Sequence, residues 1–382
     1  MLRTRPNICR YLSVGLNYLG LQKFTCRILI QLYAGKNNNK KNISLQIRRL
    51  NTIRALAAII VLITHFSDKT DWLGGILGGR AGQYGVMLFF MLSGFLMAYL
   101  YADKPFNRVK VKAYLMARIA RVLPLYLLVV LVSFGTIQLG FQSLYDIPDS
   151  SALLSHLLFI KGDSVLWTIA PEIHFYLLFV LLWGIAQWRF GYVHLLVFTC
   201  LIGLFLFNFP RPIGQLFELA YDLHIFRSLP YFIVGVLFGL HYGKAHIPEY
   251  LKSHGFVLML GGIVLLYPDL SPVRFDSVYR MWLSYEVLLM MSAIFFALVY
   301  LVPDKNVILE NKLGDFFGKI SFSLYLLHMP ILAQVVKLEI SILMQLWVFI
   351  GLSVLAATLS YQLFERPVAK LIRGGEKYPN YR

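Results

Sequence analysis

Charge is what this sequence has least of. Only 14% of its 382 residues are Asp, Glu, Lys or Arg, whereas 58% are hydrophobic; a soluble chain keeps about a quarter of its residues charged. The shortfall excludes an ordinary soluble domain. Acidic residues are the scarcer kind, 19 against 36 Lys and Arg, which gives a formal net charge of +17. Cysteine is nearly missing too. Cys9, Cys26 and Cys200 stand far apart with no CxxC pair, so neither a disulfide framework nor a metal site is expected. No basic stretch is interleaved with stacking aromatics in a soluble fold, so nucleic acid is not an expected partner.

What is present is apolar length. Between clusters of charge run segments of about 20 residues, enough to cross a hydrocarbon core about 30 Å thick. The fold expected is an all-α polytopic transmembrane bundle of about ten spans: 50–71, 82–102, 120–141, 165–187, 192–210, 225–243, 254–268, 282–303, 316–337 and 341–363. The segment 151–161 is too short to cross and is expected in the interface or folded back. With an even number of crossings both termini share one side. Placing them in the cytoplasm leaves only Lys69, Arg80, Lys161, Arg211, Arg227, Arg274, Arg280 and Lys337 outside, and 28 of the 36 basic residues inside. Cytoplasmic loops carry such an excess, so N and C termini are expected to be cytoplasmic.

Residues 1–46 stand apart. Basic residues interrupt each of their apolar runs, and the stretch ends in GKNNNKKN. Neither a signal peptide nor a spanning helix fits it. It reads as a basic extension, disordered or preceding the true start, with a surface-lying amphipathic helix as the other possibility.

The first span, LNTIRALAAIIVLITHF, holds two groups that lipid rejects, Arg54 and His65. They are eleven residues apart, about three helical turns, so both point the same way, separated by about 16 Å along the axis. With Arg54 at the cytoplasmic boundary, His65 lies near the bilayer midplane, where ionisable groups usually face a cavity or a partner. A cation at the inner surface can hold the phosphates of a large cytoplasmic cofactor. An imidazole three turns deeper can meet the end of that cofactor's extended arm and act there as general base or nucleophile. Each residue alone also has a plainer reading, Arg54 as a topology anchor and His65 as an interhelical hydrogen bond.

Further elements join this pair. GVMLFFMLSGFLM (85–97) combines small and aromatic residues, ARIARVLPLY (117–126) carries two arginines three apart, and LWTIAPEIHFYLLF (166–179) places Glu172 behind Pro171. GKISFSLYLLHMPI (318–331) and ERP (365–367) complete the set. In this order, with Arg54 and His65, they resemble the acyltransferase-3 family of bacterial inner-membrane acyltransferases over about residues 47–370. The resemblance makes 47–370 a transmembrane acyltransferase domain and 371–382 a basic cytoplasmic tail. It departs from the family at Thr168, where serine is usual, and at Pro171, which is unusual before the glutamate.

By that resemblance His65 is the catalytic histidine and Arg54 lies on the cofactor side, with Arg118 and Arg121 binding acyl-CoA. Residues three apart share a helix face, and paired guanidinium groups suit phosphate oxygens. Small residues among aromatics allow close helix packing, so Phe89, Phe90, Ser93, Gly94 and Phe95 read as the wall around the histidine. Ser93 packs there or donates to an acyl carbonyl. Glu172 orients His65 or meets the acceptor hydroxyl, unless it only complements a helix N-terminus. Tyr325 and His328 read first as an interhelical hydrogen bond and otherwise as lining the same cavity. Glu286 and the charged loop with Arg211, Glu218, Asp222, His224 and Arg227 are expected to face the acceptor or to be ordinary surface.

The expected function is O-acyl transfer in the inner membrane. An acyl group, acetyl being the family's commonest, passes from cytoplasmic acyl-CoA to a hydroxyl of a glycan or lipid-linked saccharide outside. Acyl-CoA, that acceptor and membrane lipids are the expected partners, and no metal is needed. Direct transfer and an acyl-histidine intermediate both remain open. The length suggests the stand-alone form without a fused hydrolase-like domain. The alternative is a transporter or flippase, against which stands the lack of an inverted repeat or a matched pair of broken helices.

Overall fold

A computed structural model describes residues 48–187, 224–243, 247–267, 270–271, 275, 277–303 and 306–374. Among these residues every regular element is helical. In chain order they are α1 (Arg48–Thr70), α2 (Gly82–Tyr101), α3 (Arg108–Gln138), α4 (Ser150–Leu157), α5 (Ile169–Ala186, led in by a 3-10 turn at Ser164–Thr168), α6 (Ile225–His241) and α7 (Glu249–Val264). The order continues with α8 (Val278–Trp282), α9 (Tyr285–Tyr300), α10 (Lys312–Val335), α11 (Ile342–Ser360) and α12 (Arg366–Ile372).

Among the described residues, six helical stretches are long and apolar enough to cross a membrane: α1, α2, α3, the turn plus α5, α10, and the run Ile342–Ile372. Shorter apolar helices, α6 and α9, add to them. The protein is a transmembrane helical bundle. The expected span 192–210 lies outside the described residues, as do residues 1–46.

Polar residues start the helices. Asn107, Asp149, Ser284, Asn311 and Ser341 each accept a backbone N–H three residues on, which satisfies a donor that has no intrahelical partner. The cap at Asn107 explains why α3 begins twelve residues before the apolar span expected from 120. Lysine and arginine are good helix formers, so Arg118 and Arg121 lie inside a continuous helix. The 151–161 segment forms only the eight-residue α4. It is held back against the bundle by the Tyr126 hydroxyl, which donates to the His156 carbonyl at 3.0 Å.

α2 is central, with 72% of its apolar window buried, and the Ile342–Ile372 run is peripheral at 22%. Glycine permits the closest approach. A side chain at Gly94 would collide with the Phe232 carbonyl, and one at Gly235 with the Met91 carbonyl, so α2 and α6 pack backbone to backbone. α1 and α10 meet just as closely at their N-terminal ends. There Gly318 lies on the Asn51 backbone, the Asn51 amide donates to Asp315 at 2.8 Å, and Arg49 pairs with Glu310. These contacts lock the stretch of α1 from which Arg54 projects.

Candidate active site

Two polar regions form along α1. At its N-terminal end, the Arg54 guanidinium donates to Asn51 Oδ1 at 3.2 Å. Its electrostatic neighbours are Arg121, Arg118, Tyr176 and Glu172. Arg118 lies 5.8 Å from the ring centroids of both Tyr101 and Tyr114, a cation–π distance. Its buried Nε has no hydrogen-bond partner among the described residues. Lys104 approaches the Tyr101 ring at 4.8 Å. Arg121 has Glu365 as an electrostatic neighbour, and that buried carboxylate accepts from Ser323. Glu365 closes a π-helical turn, Tyr361–Glu365, between α11 and α12.

Glu172 belongs to this region. Its Oε1 accepts the Ser93 hydroxyl and the Tyr176 hydroxyl, each at 2.7 Å. Ser93 stands in the middle of α2. The lead-in turn brings Glu172 to it: Val165, Leu166 and Thr168 are already buried, so the chain has entered the bundle before α5 begins. Pro171 sits in the first turn of α5, where the helix requires no N–H donor. Thr168 bonds the Val165 carbonyl at 3.1 Å and reaches the Tyr325 side chain.

The second region surrounds His65, three turns along α1 from Arg54 by helix geometry. Its imidazole stacks on that of His328 from α10, with ring centroids 5.4 Å apart and planes at 28°. His328 is fully buried. Among the described residues its bonds are not interhelical: Nδ1 meets the carbonyls of Tyr325 at 2.7 Å and Leu324 at 3.2 Å in its own helix. Tyr325 packs edge-on against Phe89 at 6.1 Å and donates its hydroxyl to the Val165 carbonyl at 3.1 Å.

The α2 signature therefore divides. Phe89 faces the histidines through Tyr325. Phe90 stacks on Phe232 at 4.4 Å, Phe95 packs against Tyr242 and Phe295, and Ser93 faces Glu172. The structure brings Arg54, Arg118, Arg121, Ser93 and Glu172 together and sets His65 apart with His328. Neither Lys104 beside Tyr101 nor the bond from Tyr176 is apparent from the sequence alone. For Tyr176 the signal was its position one helical turn after Glu172.

Near the start of α6 lies a further cluster. His224 is 5.0 Å from Trp167, and Arg227 stands over Trp167 at 4.3 Å and Trp282 at 5.6 Å. Glu286 accepts from Ser284. Arg211, Glu218 and Asp222 lie outside the described residues. Among the described residues no His, Cys, Asp and Glu gather as a metal site would require.

The family model described as an acyltransferase domain, acyltransferase-3, matches residues 47–365. The chain belongs to that family. The matched stretch of this acyltransferase-3 chain takes in both polar regions, from Arg54 to Glu365. Proteins of Staphylococcus aureus strains COL, MSSA476 and MRSA252, each named "Putative O-acetyltransferase", are 24% identical over 361 residues, covering 84% of this chain. The match spans 57% of the length of those relatives. No solved structure matches the acyltransferase-3 chain.

Proposed function

We propose that the protein is a membrane O-acyltransferase. It takes an acyl group, acetyl in the first instance, from cytoplasmic acyl-CoA and delivers it to a hydroxyl of a glycan or lipid-linked saccharide on the other side. The observation that carries this reading is the gathering of three arginines at one end of α1 and, further along it, a stacked imidazole pair made of half-buried His65 and buried His328. Three guanidinium groups face two carboxylates, Glu172 and Glu365, and the excess positive charge suits the phosphates of CoA. From there the extended arm of CoA reaches along α1, and His65 receives the thioester as general base or acyl carrier.

Ser93 and Tyr176 hold one oxygen of Glu172, leaving the carboxylate to orient Arg54 or to meet a substrate group. The cluster of Trp167, His224 and Arg227 offers aromatic and cationic groups to a saccharide. The family membership and the relatives' printed names support acetyl as the group to test. The test is transfer from radiolabelled acetyl-CoA to a membrane glycan fraction by purified protein in detergent. Wild type transfers label and His65→Ala does not; undiminished transfer by His65→Ala removes His65 from the mechanism.

A further inference from the structure

Two buried histidines are hydrogen-bonded in contrasting ways. His156 uses both ring nitrogens: Nδ1 lies 2.8 Å from the Ala152 carbonyl, and Nε2 accepts the Asp163 N–H at 2.9 Å. His328 uses only one. Both neighbours of its Nδ1 are carbonyl oxygens, which can only accept, so Nδ1 carries the proton. In the neutral ring Nε2 then holds a bare lone pair. That atom is buried with no partner among the described residues. Buried acceptors are nearly always paired, so an unpaired one calls for an explanation.

His65 supplies one. The two imidazoles stack instead of bonding edge to edge, which leaves their in-plane nitrogens for a third group. If His65 carries the acyl group, it has given up its basic nitrogen, because an acylated imidazole is a poor base. The hydroxyl that attacks it then needs another proton acceptor close by.

We infer that His328 is a second catalytic residue, whose Nε2 takes the proton of the acceptor hydroxyl while His65 carries the acyl group. This rests on the O-acyl transfer reading and chooses between its two routes. In the first half-reaction a His65 nitrogen attacks the thioester carbonyl. The C–S bond breaks, and the CoA sulfur leaves with the proton shed by the His65 ring. In the second, the acceptor oxygen attacks the acyl carbonyl as its proton passes to His328 Nε2. The C–N bond breaks, and His328 returns the proton to the departing His65 nitrogen. The sum is thioester plus alcohol giving ester plus thiol, with both rings neutral again, and a tautomeric shift of the His65 ring frees its attacking nitrogen for the next turn. The Nδ1–H bond to the Tyr325 carbonyl orients the His328 ring and stabilises its transient positive charge, as an acceptor behind a catalytic imidazole does.

Two assays separate the half-reactions. Exchange of radiolabelled CoA into acetyl-CoA, with no acceptor present, reads the first; transfer of acetyl to a membrane glycan fraction reads the second. His328→Asn keeps an amide donor where Nδ1 stands and has no atom at Nε2. His328→Gln places an amide near Nε2 that cannot take a proton. Wild type should show both activities and His65→Ala neither. Both His328 variants should keep exchange within about threefold and lose transfer by about 100-fold or more, the range for removing a general base. Wild-type transfer without any exchange overturns the inference and leaves the parent reading standing. So does full transfer by His328→Asn, or an equal fall of exchange and transfer in both variants. Undiminished transfer by His65→Ala removes His65 from the mechanism and the inference with it, and no transfer by wild type overturns the parent reading as well.

Discussion

Arg118 and Arg121 stand three apart on α3 and share the electrostatic surroundings of Arg54, a concentration of like charge that a membrane interior penalises unless an anion joins it. The buried, unpartnered Nε of Arg118 is where such an anion is most needed. Removing one charged hydrogen-bonding partner costs about 1.5–3 kcal/mol, so Arg118→Ala should raise KM for acetyl-CoA roughly 10- to 100-fold with a smaller change in kcat, as steady-state kinetics will read. His65→Ala should instead lower kcat, by about 100-fold or more, with KM for acetyl-CoA little changed. The Arg54 and His65 pair was legible in the sequence because each interrupts an apolar run where neither belongs. The partner of His65 was not. A histidine seven residues from the end of an apolar helix reads first as a satisfied bond, and only the geometry reveals that Nε2 has no partner among the described residues.

At the scale of elements, the sequence located the helices but not their partners. Hydropathy put the fourth span at 165–187, taking in the 3-10 turn that leads into α5, but it does not show that Glu172 meets Ser93. It also missed the capped, charged first turns of α3. One packing device was legible: glycine among aromatics in α2 predicted close approach, and Gly94 meets the α6 backbone. Gly94→Leu should lower the thermal midpoint of the purified protein, with a cost of about 1–3 kcal/mol for overpacking. A less visible device sits in α10. Pro330 lacks an N–H and leaves the Leu326 carbonyl without its helical partner, and the Tyr145 hydroxyl donates to that carbonyl at 2.6 Å. Tyr145 thereby ties the loop after α3 to the helix that carries His328. Tyr145→Phe strands the carbonyl at a cost of about 1–3 kcal/mol, which should lower the melting midpoint and the transfer rate together.

The whole molecule has a direction: cations at one end of α1, an imidazole pair further along it, and aromatic and cationic groups near Trp167. The charge asymmetry of the loops supports the proposal of a cytoplasmic α2–α3 loop and an external α3–α4 loop. In a protein with Cys9, Cys26 and Cys200 changed to serine, a cysteine at Gln142 should react with an impermeant maleimide in intact cells. One at Asp103 should react only after the membrane is breached, and the opposite pattern would invert the topology. The most direct test of the account is transfer in sealed inside-out membrane vesicles given radiolabelled acetyl-CoA on the exposed cytoplasmic face. The account predicts label on glycan enclosed within the vesicles, dependent on His65 and on Arg118. Label confined to the exposed face, or enclosed label that persists in His65→Ala, would contradict it.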